Sequence, residues 1–562
     1  MTSAARLRLG LAAALLVLVA VGAGTNAATK ATANPIQREN ALPGSPDWRL
    51  PRATPGAIEG YASQISVRPG DRLDVHVSTA ARYRVSVYRI GWYGGAGARL
   101  VACSPACGSD EQGTAQPVPP FDPSTGYLNA GWPVTDRFAV APSWTSGYYL
   151  AELVLTSGAD VGKGSWVPFV VRAAASQASN ALVQAPVNTW EAYNGWGGRS
   201  LYSNFTGIGD NHVSFERPFD ERTMKTADGP ATDNANLPQV SEFPLVRFLE
   251  RSGYDVSYQT DVDTDAEPAS LLRHRLVIVN GHDEYWTKGI RDAFERARDL
   301  GTNLAFLGAN IGFWQMRYED SRRTIVEYRN AGPDPNPDPA LKTVMFRELQ
   351  PPRPECRLLG VQGIVEPGNQ SIGVRALAPN PAALGDAWFS RAGFTASTVL
   401  PDLVGYEWDL VTPGCQTPPL VDLFHVSGTP NYDGVRYKAS SGARVFSAGT
   451  LRFGWGLDDT SAHVSPALQQ FMRNAMDDLT RPAQPKSVSV MRARRGVRIS
   501  VRRLPDARPS LLIVYAGRRL VCSTPKAACV DSRARRGRKV RYTVVLRDRW
   551  RASFPLLSAT VR

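Results

Sequence analysis

Histidine, cysteine and long apolar runs are all scarce in this chain, and each scarcity removes a class of protein. The 562 residues hold 6 histidines, scattered along the chain and nowhere arranged as HExxH, which excludes a zinc-protease helix. The 6 cysteines form no CxxC pair and have no neighbouring histidine at structural-zinc spacing. GxSxG and the P-loop pattern are missing, and Gly-rich stretches such as Gly94-Gly95-Ala96-Gly97 lack the strand-to-helix context of a phosphate cradle. Past Gly24 no stretch is long and apolar enough to span a bilayer, which takes ~20 residues. With 43% hydrophobic and 20% charged residues and a mean hydropathy of -0.24, neither a polytopic membrane protein nor a disordered chain fits. The length is enough for roughly three or four globular domains.

The net charge of +13 conceals an asymmetry. From Gln484 to Arg562 there are 21 basic and 3 acidic residues, while the rest of the chain holds 43 against 48. A basic module thus hangs on a mildly acidic body, so the whole chain does not read as a nucleic-acid binder. The module's basic residues are dispersed, which suits either a solvated surface or adhesion to an anionic cell-envelope polymer. At the other end, Arg6 and Arg8 precede the apolar run Leu9 to Gly24 and the small residues Thr25-Asn26-Ala27-Ala28, the order of a secretory signal. The run is short for a span, so cleavage is expected, with a retained anchor as the alternative. An even number of cysteines suits that compartment. Proximity within the expected domains pairs Cys103 with Cys107, Cys356 with Cys415 and Cys522 with Cys529.

The expected organisation is a signal at 1–28, a Pro-rich leader at 29–45, and a β-sandwich resembling an immunoglobulin domain at 46–173. An α/β body follows at 180–480, with a Pro-rich and strand-rich insertion at about 331–439, and then a basic β-sandwich at 484–562. In the body, Leu276-Val277-Ile278-Val279 and Leu304-Ala305-Phe306-Leu307 read as buried parallel strands. Ile290, Ala293, Phe294 and Ala297 fall on one helical face between them. Ligands of such sheets bind beyond the strands' carboxyl ends. Two of these ends deliver Gly281-His282-Asp283-Glu284-Tyr285-Trp286 and Gly308-Ala309-Asn310, and a third follows Ala181 to Gln184 as Asn188 to Gly198.

These motifs, in this order, resemble the C-terminal domain of the large (beta) chain in the N,N-dimethylformamidase family. The resemblance implies a body similar to the glutamine amidotransferase fold with a mostly parallel sheet. No cysteine sits on a strand-to-helix elbow, so thiol chemistry is not expected. It further implies a mononuclear iron, Fe(III), held by two tyrosinates and a glutamate, and hydrolysis of a carbon-nitrogen amide bond. By motif, Tyr193, Tyr202 and Glu284 are the implied metal ligands. His282 and Asn310 lie beside them as donors to a developing oxyanion, and Glu407 is the candidate general base by order and context. Where the family carries a lysine after Gly-Ala-Asn, this chain has Arg322, Arg323 and Arg329, and its first lysine there is Lys342.

Each residue also has a plainer reading. Glu284 can serve a helix N-terminus, His282 and Asn310 can order turns, and Tyr193, Tyr202 and Glu407 can be packing. Asp261-Val262-Asp263-Thr264-Asp265 is not an EF-hand loop, because Ala266 and Leu272 stand where Gly and Glu are needed. The expected function is therefore a secreted metal-dependent amidohydrolase. The alternative is a non-catalytic envelope- or carbohydrate-binding protein that stacks sugars on Trp190, Trp196, Trp286, Trp314 and Trp408. The first demands that Tyr193, Tyr202 and Glu284 converge, and the second demands an open aromatic groove. Expected partners are a small-molecule amide and an anionic envelope polymer, with no nucleic acid and with homo-oligomerisation left open.

Overall fold

The computed structural model describes residues 33–202, 210–220, 241–363, 365–366, 369–370, 372–415, 418–428, 430–481, 485–493, 496–503, 511–534, 539–547 and 557–561. The expected signal at 1–28 lies outside the described residues. Among the described residues no helix is long and apolar enough to cross a membrane.

The body is organised by seven strands: β1 (Ala181–Ala185), β2 (Val256–Thr260), β3 (Leu276–Asn280), β4 (Asn303–Leu307), β5 (Leu420–Val426), β6 (Tyr432–Lys438) and β7 (Arg444–Ser447). They lie in the order β2-β1-β3-β4-β7-β6-β5. The first five in that row pair in parallel, and β6 and β5 continue the row antiparallel. The stretch expected as an insertion therefore ends by supplying two edge strands of the main sheet.

Alternation explains how both faces are covered. Leu276, Ile278, Ala305 and Leu307 enter one core, and Val277, Val279, Leu304 and Phe306 enter the other. Four helices, α1 (Val187–Tyr193), α2 (Phe243–Arg251), α3 (Lys288–Asp299) and α4 (Pro466–Thr480), fill these cores. Helix α3 starts where the Thr287 hydroxyl accepts from Ile290 N, and it buries Ile290, Ala293, Phe294 and Ala297 on one side of the sheet. Its Phe294 stacks on Trp286 with centroids 4.7 Å apart. Helix α4, capped by Ser465 with Pro466 behind it, buries Leu468, Phe471, Met472, Ala475, Met476 and Leu479 on the other side. Each such Leu or Phe contributes about 1.5–3 kcal/mol by leaving water.

Ahead of the body, a six-stranded sheet faces a three-stranded one. The strand Gly147–Leu155 is buried throughout and serves two cores by alternation. Tyr149, Ala151 and Leu153 point between the two sheets, while Tyr148 and Leu150 point into the body. A guanidinium completes this junction. Arg89 on strand Arg82–Ile90 donates to both oxygens of Glu250 on α2, at 2.9 and 2.7 Å, with both side chains fully buried. The last residues form a three-stranded and a four-stranded sheet around Val497, Ile499, Val501, Leu512, Val514, Tyr542 and Val544. The three disulfides are Cys103–Cys107, Cys356–Cys415 and Cys522–Cys529.

The buried pair yields a direct test. Glu250→Ala leaves the Arg89 guanidinium uncompensated in the interior and is expected to lower stability by about 3–5 kcal/mol. Removing the partly exposed Arg68–Glu267 pair should change it by less than about 1 kcal/mol. Denaturant unfolding followed by tryptophan fluorescence checks both, and equal effects would refute the ranking.

Candidate active site

In the parallel row the chain runs from β1 to β2 on one side and to β3, β4 and β7 on the other, so the crevice between the carboxyl ends of β1 and β3 is the switch point. Strand β1 leads through Pro186 into α1, which is buried along its whole length and ends at Tyr193. The carbonyls of Glu191 and Asn194 at that helix end accept from Arg217 Nη2 at 3.1 and 2.8 Å. Beyond β3, Gly281 turns the chain with φ of 76°, and Glu284 N donates to Thr189 Oγ1 at 2.9 Å, which ties this loop to α1. Beyond β4, Gly308 passes so close that a Cβ there would lie 1.9 Å from Gly281 O. The following Asn310 is left-handed, with φ of 51°, and its N–H donates to Asp409 Oδ1 at 3.0 Å. That contact brings the end of strand Leu400–Glu407 to the same edge.

The residues singled out from the sequence meet here. Tyr193 Oη and Tyr202 Oη donate to one carboxylate oxygen, Glu284 Oε2, at 3.0 and 2.9 Å. His282 Nε2 lies 3.5 Å from that oxygen and 3.1 Å from Glu407 Oε2. Asn310 Nδ2 donates to Glu407 Oε2 at 2.6 Å. His282 and Asn310, expected as oxyanion donors, are thus both engaged with Glu407.

Three further residues belong to the cluster. Tyr285 Oη donates to Tyr202 Oη at 2.7 Å, and Arg329 donates to Tyr285 while its guanidinium covers the Tyr202 ring at 4.0 Å. Asp409 holds the Asn310 backbone. Of the arginines standing where the family has a lysine, only Arg329 comes here, since Arg322 pairs with Asp265 and Arg323 with Glu216. Adjacency to Glu284 was a usable signal for Tyr285. Nothing local distinguishes Arg329 from its neighbours.

Electrostatics follow from burial. Loss of water pushes the Tyr193, Tyr202 and Tyr285 phenols well up, with Glu284 adding to the push on each. Burial also raises the Glu284 carboxyl, Glu407 reinforcing it and His282 opposing it. Burial alone would lower His282, but Glu407 and then Glu284 outweigh it and hold the imidazole at about 9. Asp409 is pushed up to about 7, chiefly by burial. Two phenol oxygens and a carboxylate oxygen at 2.9–3.0 Å form a donor set suited to a hard cation. Tyr193, Tyr202 and Glu284 therefore fit the iron that the resemblance implies.

The tryptophans behave otherwise. Trp190, Trp196, Trp286 and Trp408 are buried, and Trp314 is half-buried. Stacking with Phe294 and packing against the sheet use up the Trp286 face, so these rings do not form the open groove that sugar binding demands.

A pH test follows for metal-free protein. With a folded value of about 9 against 6.5 when free, His282 contributes stability that is complete below about 6.5 and lost as pH rises through about 9. Wild type should therefore exceed His282→Gln in thermal stability at pH 6, with the gap closing by pH 10. A gap independent of pH would refute the imidazolium.

Comparison with known proteins gives the family. A curated relative, the N,N-dimethylformamidase beta subunit of Alcaligenes sp, is 27% identical over 134 residues, which is 24% of this chain and 17% of that protein. The match thus spans about a sixth of the relative's length. The profile of the family described as "N,N-dimethylformamidase beta subunit-like, C-terminal" matches residues 84–466, from the first β-module through the start of α4 and including every residue of the cluster. The chain belongs to this family.

Proposed function

We propose that this chain is an exported metal-dependent hydrolase of carbon-nitrogen amide bonds, with iron held by Tyr193, Tyr202 and Glu284. The observation that carries the reading is the meeting of both phenol oxygens on one buried carboxylate oxygen. Left without a cation, that arrangement buries three anion-forming groups and drives the phenols toward their neutral forms. When bound, a trivalent metal would polarise an amide carbonyl and acidify water. The remaining steps belong to the chain. Glu407 Oε2 is fixed by Asn310 and His282, and no hydrogen bond to Oε1 forms among the described residues, which leaves Oε1 to take a proton from water. The same carboxyl can return that proton to the departing nitrogen. His282, held cationic by its carboxylate neighbours, balances the negative charge gathered on the attacked carbonyl. Arg329 fixes Tyr202 and Tyr285 in place.

Export is supported by the N-terminal sequence pattern and by cysteines that are all paired. The fold assignment carried by the resemblance, a glutamine amidotransferase-like body between immunoglobulin-like sandwiches, is supported by the β2-β1-β3-β4-β7 order and by the paired β-sheets at either end. The basic end module is read as a holdfast for anionic envelope polymer.

Protein purified from an exporting host without chelator should contain about one iron per chain and absorb in the visible through tyrosinate-to-metal charge transfer. Tyr202→Phe and Glu284→Gln should abolish both. Glu407→Gln should keep the iron and the band while lowering kcat on a cleaved amide by about 10²–10⁴-fold. Colourless protein that stays metal-free after iron is supplied would overturn the reading.

A further inference from the structure

A second group of ligand-type side chains lies on the β5–β6 hairpin at the sheet's antiparallel edge. Asp422 and His425 are on β5 and Asp433 is on β6, and the three donor atoms lie within 4.8 Å of one another. Strand geometry alone would not bring them together. Residues three apart on a strand point to opposite faces. Between Asp422 and Phe424, however, the register shifts by one residue, a β-bulge, so that His425 pairs with Asp433 while Asp422 pairs with Val435. The bulge sends both Leu423 and Phe424 into the core and returns Asp422 to the face of His425. This device sacrifices a regular ladder and leaves two carboxylates beside an imidazole.

The hydrogen bonding of the three is incomplete. Asp433 is fully supplied, with His425 Nδ1 at 2.6 Å on Oδ1, and Asn431 Nδ2 and Val411 N at 2.7 and 2.8 Å on Oδ2. Asp422 Oδ2 accepts from Asn380 at 2.9 Å, but its Oδ1 is buried without a partner among the described residues. Buried carboxylate oxygens are seldom left so. Among the described residues no lysine or arginine pairs with either carboxylate, and His425 is the sole counter-group. Burial and then Asp433 push the Asp422 carboxyl up to about 6, the direction expected when two carboxylates face each other without a cation.

We propose that Asp422, His425 and Asp433 form a second metal site, distinct from the tyrosine–glutamate cluster, for a divalent transition ion of the zinc class. Two carboxylates and one imidazole are a borderline donor set that zinc accepts at ~2.0–2.2 Å per bond. The ion takes the place of the proton between His425 Nδ1 and Asp433 Oδ1, and that proton passes to Nε2, so that the imidazole binds as its neutral Nε2–H tautomer. Asp422 would ligate through Oδ2, the oxygen 3.7 Å from His425 Nδ1, and water completes the coordination at the half-exposed hairpin. The metal thereby clamps β5 to β6. It also fixes Asp433, which carries the Val411 backbone two residues beyond Asp409.

The test uses the full chain in a Tyr202→Phe/Glu284→Gln background, so that the other cluster does not take the metal. After chelator treatment and dialysis, titration calorimetry with Zn2+ should give one site per chain. Adding Asp422→Asn and His425→Gln should weaken that site by more than ~100-fold, with the thermal transition in chelator unchanged. Should the double substitution shift that transition, His425→Gln alone serves as the second variant. Zinc binding of equal affinity and stoichiometry with and without these substitutions, or no zinc binding in the background protein, would overturn the site. Neither result bears on the iron reading, whose ligands are already removed.

Discussion

The buried Arg89–Glu250 pair is the interaction on which the arrangement of the described chain turns. Glu250 accepts both guanidinium nitrogens, Tyr258 at 2.9 Å and Asn40 at 2.7 Å, so the leader, the first β-module, α2 and β2 meet on one carboxylate. Burial opposes the charge on Arg89, but Glu250 overrides it and raises the guanidinium above its free value. A pair of this kind adds little net stability over an apolar isostere, but it penalises every packing in which one partner is buried alone. It therefore acts as a registration device. It presses Tyr148 against Trp190, Phe243 and Tyr258, and Trp190 is part of the helix that ends at Tyr193. The geometry of the phenols is thus referred back to a module that carries none of the chemistry.

The site obeys a different constraint, that of charge. Glu284 and Glu407 stand with His282 and Arg329 in a buried space, and each carboxylate has a cation in reach. The phenols are neutral in such a balance, and they can only lose their protons if further positive charge arrives. The apoprotein is consequently held together by the same oxygens that would bind a metal, through the hydrogen bonds that two phenols make to Glu284 Oε2. Such a site is preorganised. Under the proposed iron binding, the two phenols would shed protons without needing to move far.

Much of this was legible in the sequence, for identifiable reasons. Buried parallel strands are continuous apolar runs, so Leu276 to Val279 and Leu304 to Leu307 announced themselves, and the loops after them carried His282, Glu284 and Asn310. Tyr193 and Tyr202 came from the family resemblance, because their approach depends on Arg217 capping α1 and on the Ser200–Tyr202 turn, neither of which has a local signature. Strands β5 and β6 were submerged in a Pro-rich stretch, and only pairing with β7 makes them part of the sheet. The tryptophans misled in the opposite sense. Their clustering near strand ends read as a mouth, whereas a ring that large near a tight turn is more useful as filling, as Gly312 shows by leaving room for Trp286 at 2.9 Å from where a Cβ would stand.

Arg329 shows how the site is held together by a guanidinium. An ammonium is a compact charge that serves one direction at a time, whereas a guanidinium is a plane with donors at its edge. Arg329 uses both features. Its face covers the Tyr202 ring, with Trp314 5.5 Å away, and its edge donates to Tyr285 Oη. Because Tyr285 in turn donates to Tyr202, the two tyrosines are fixed by one side chain acting in perpendicular directions. A lysine at this position would keep the charge and lose the stacking, leaving Tyr202 with one restraint fewer. Arg329 thus braces a phenol in two directions and supplies positive charge beside Glu284 and Glu327.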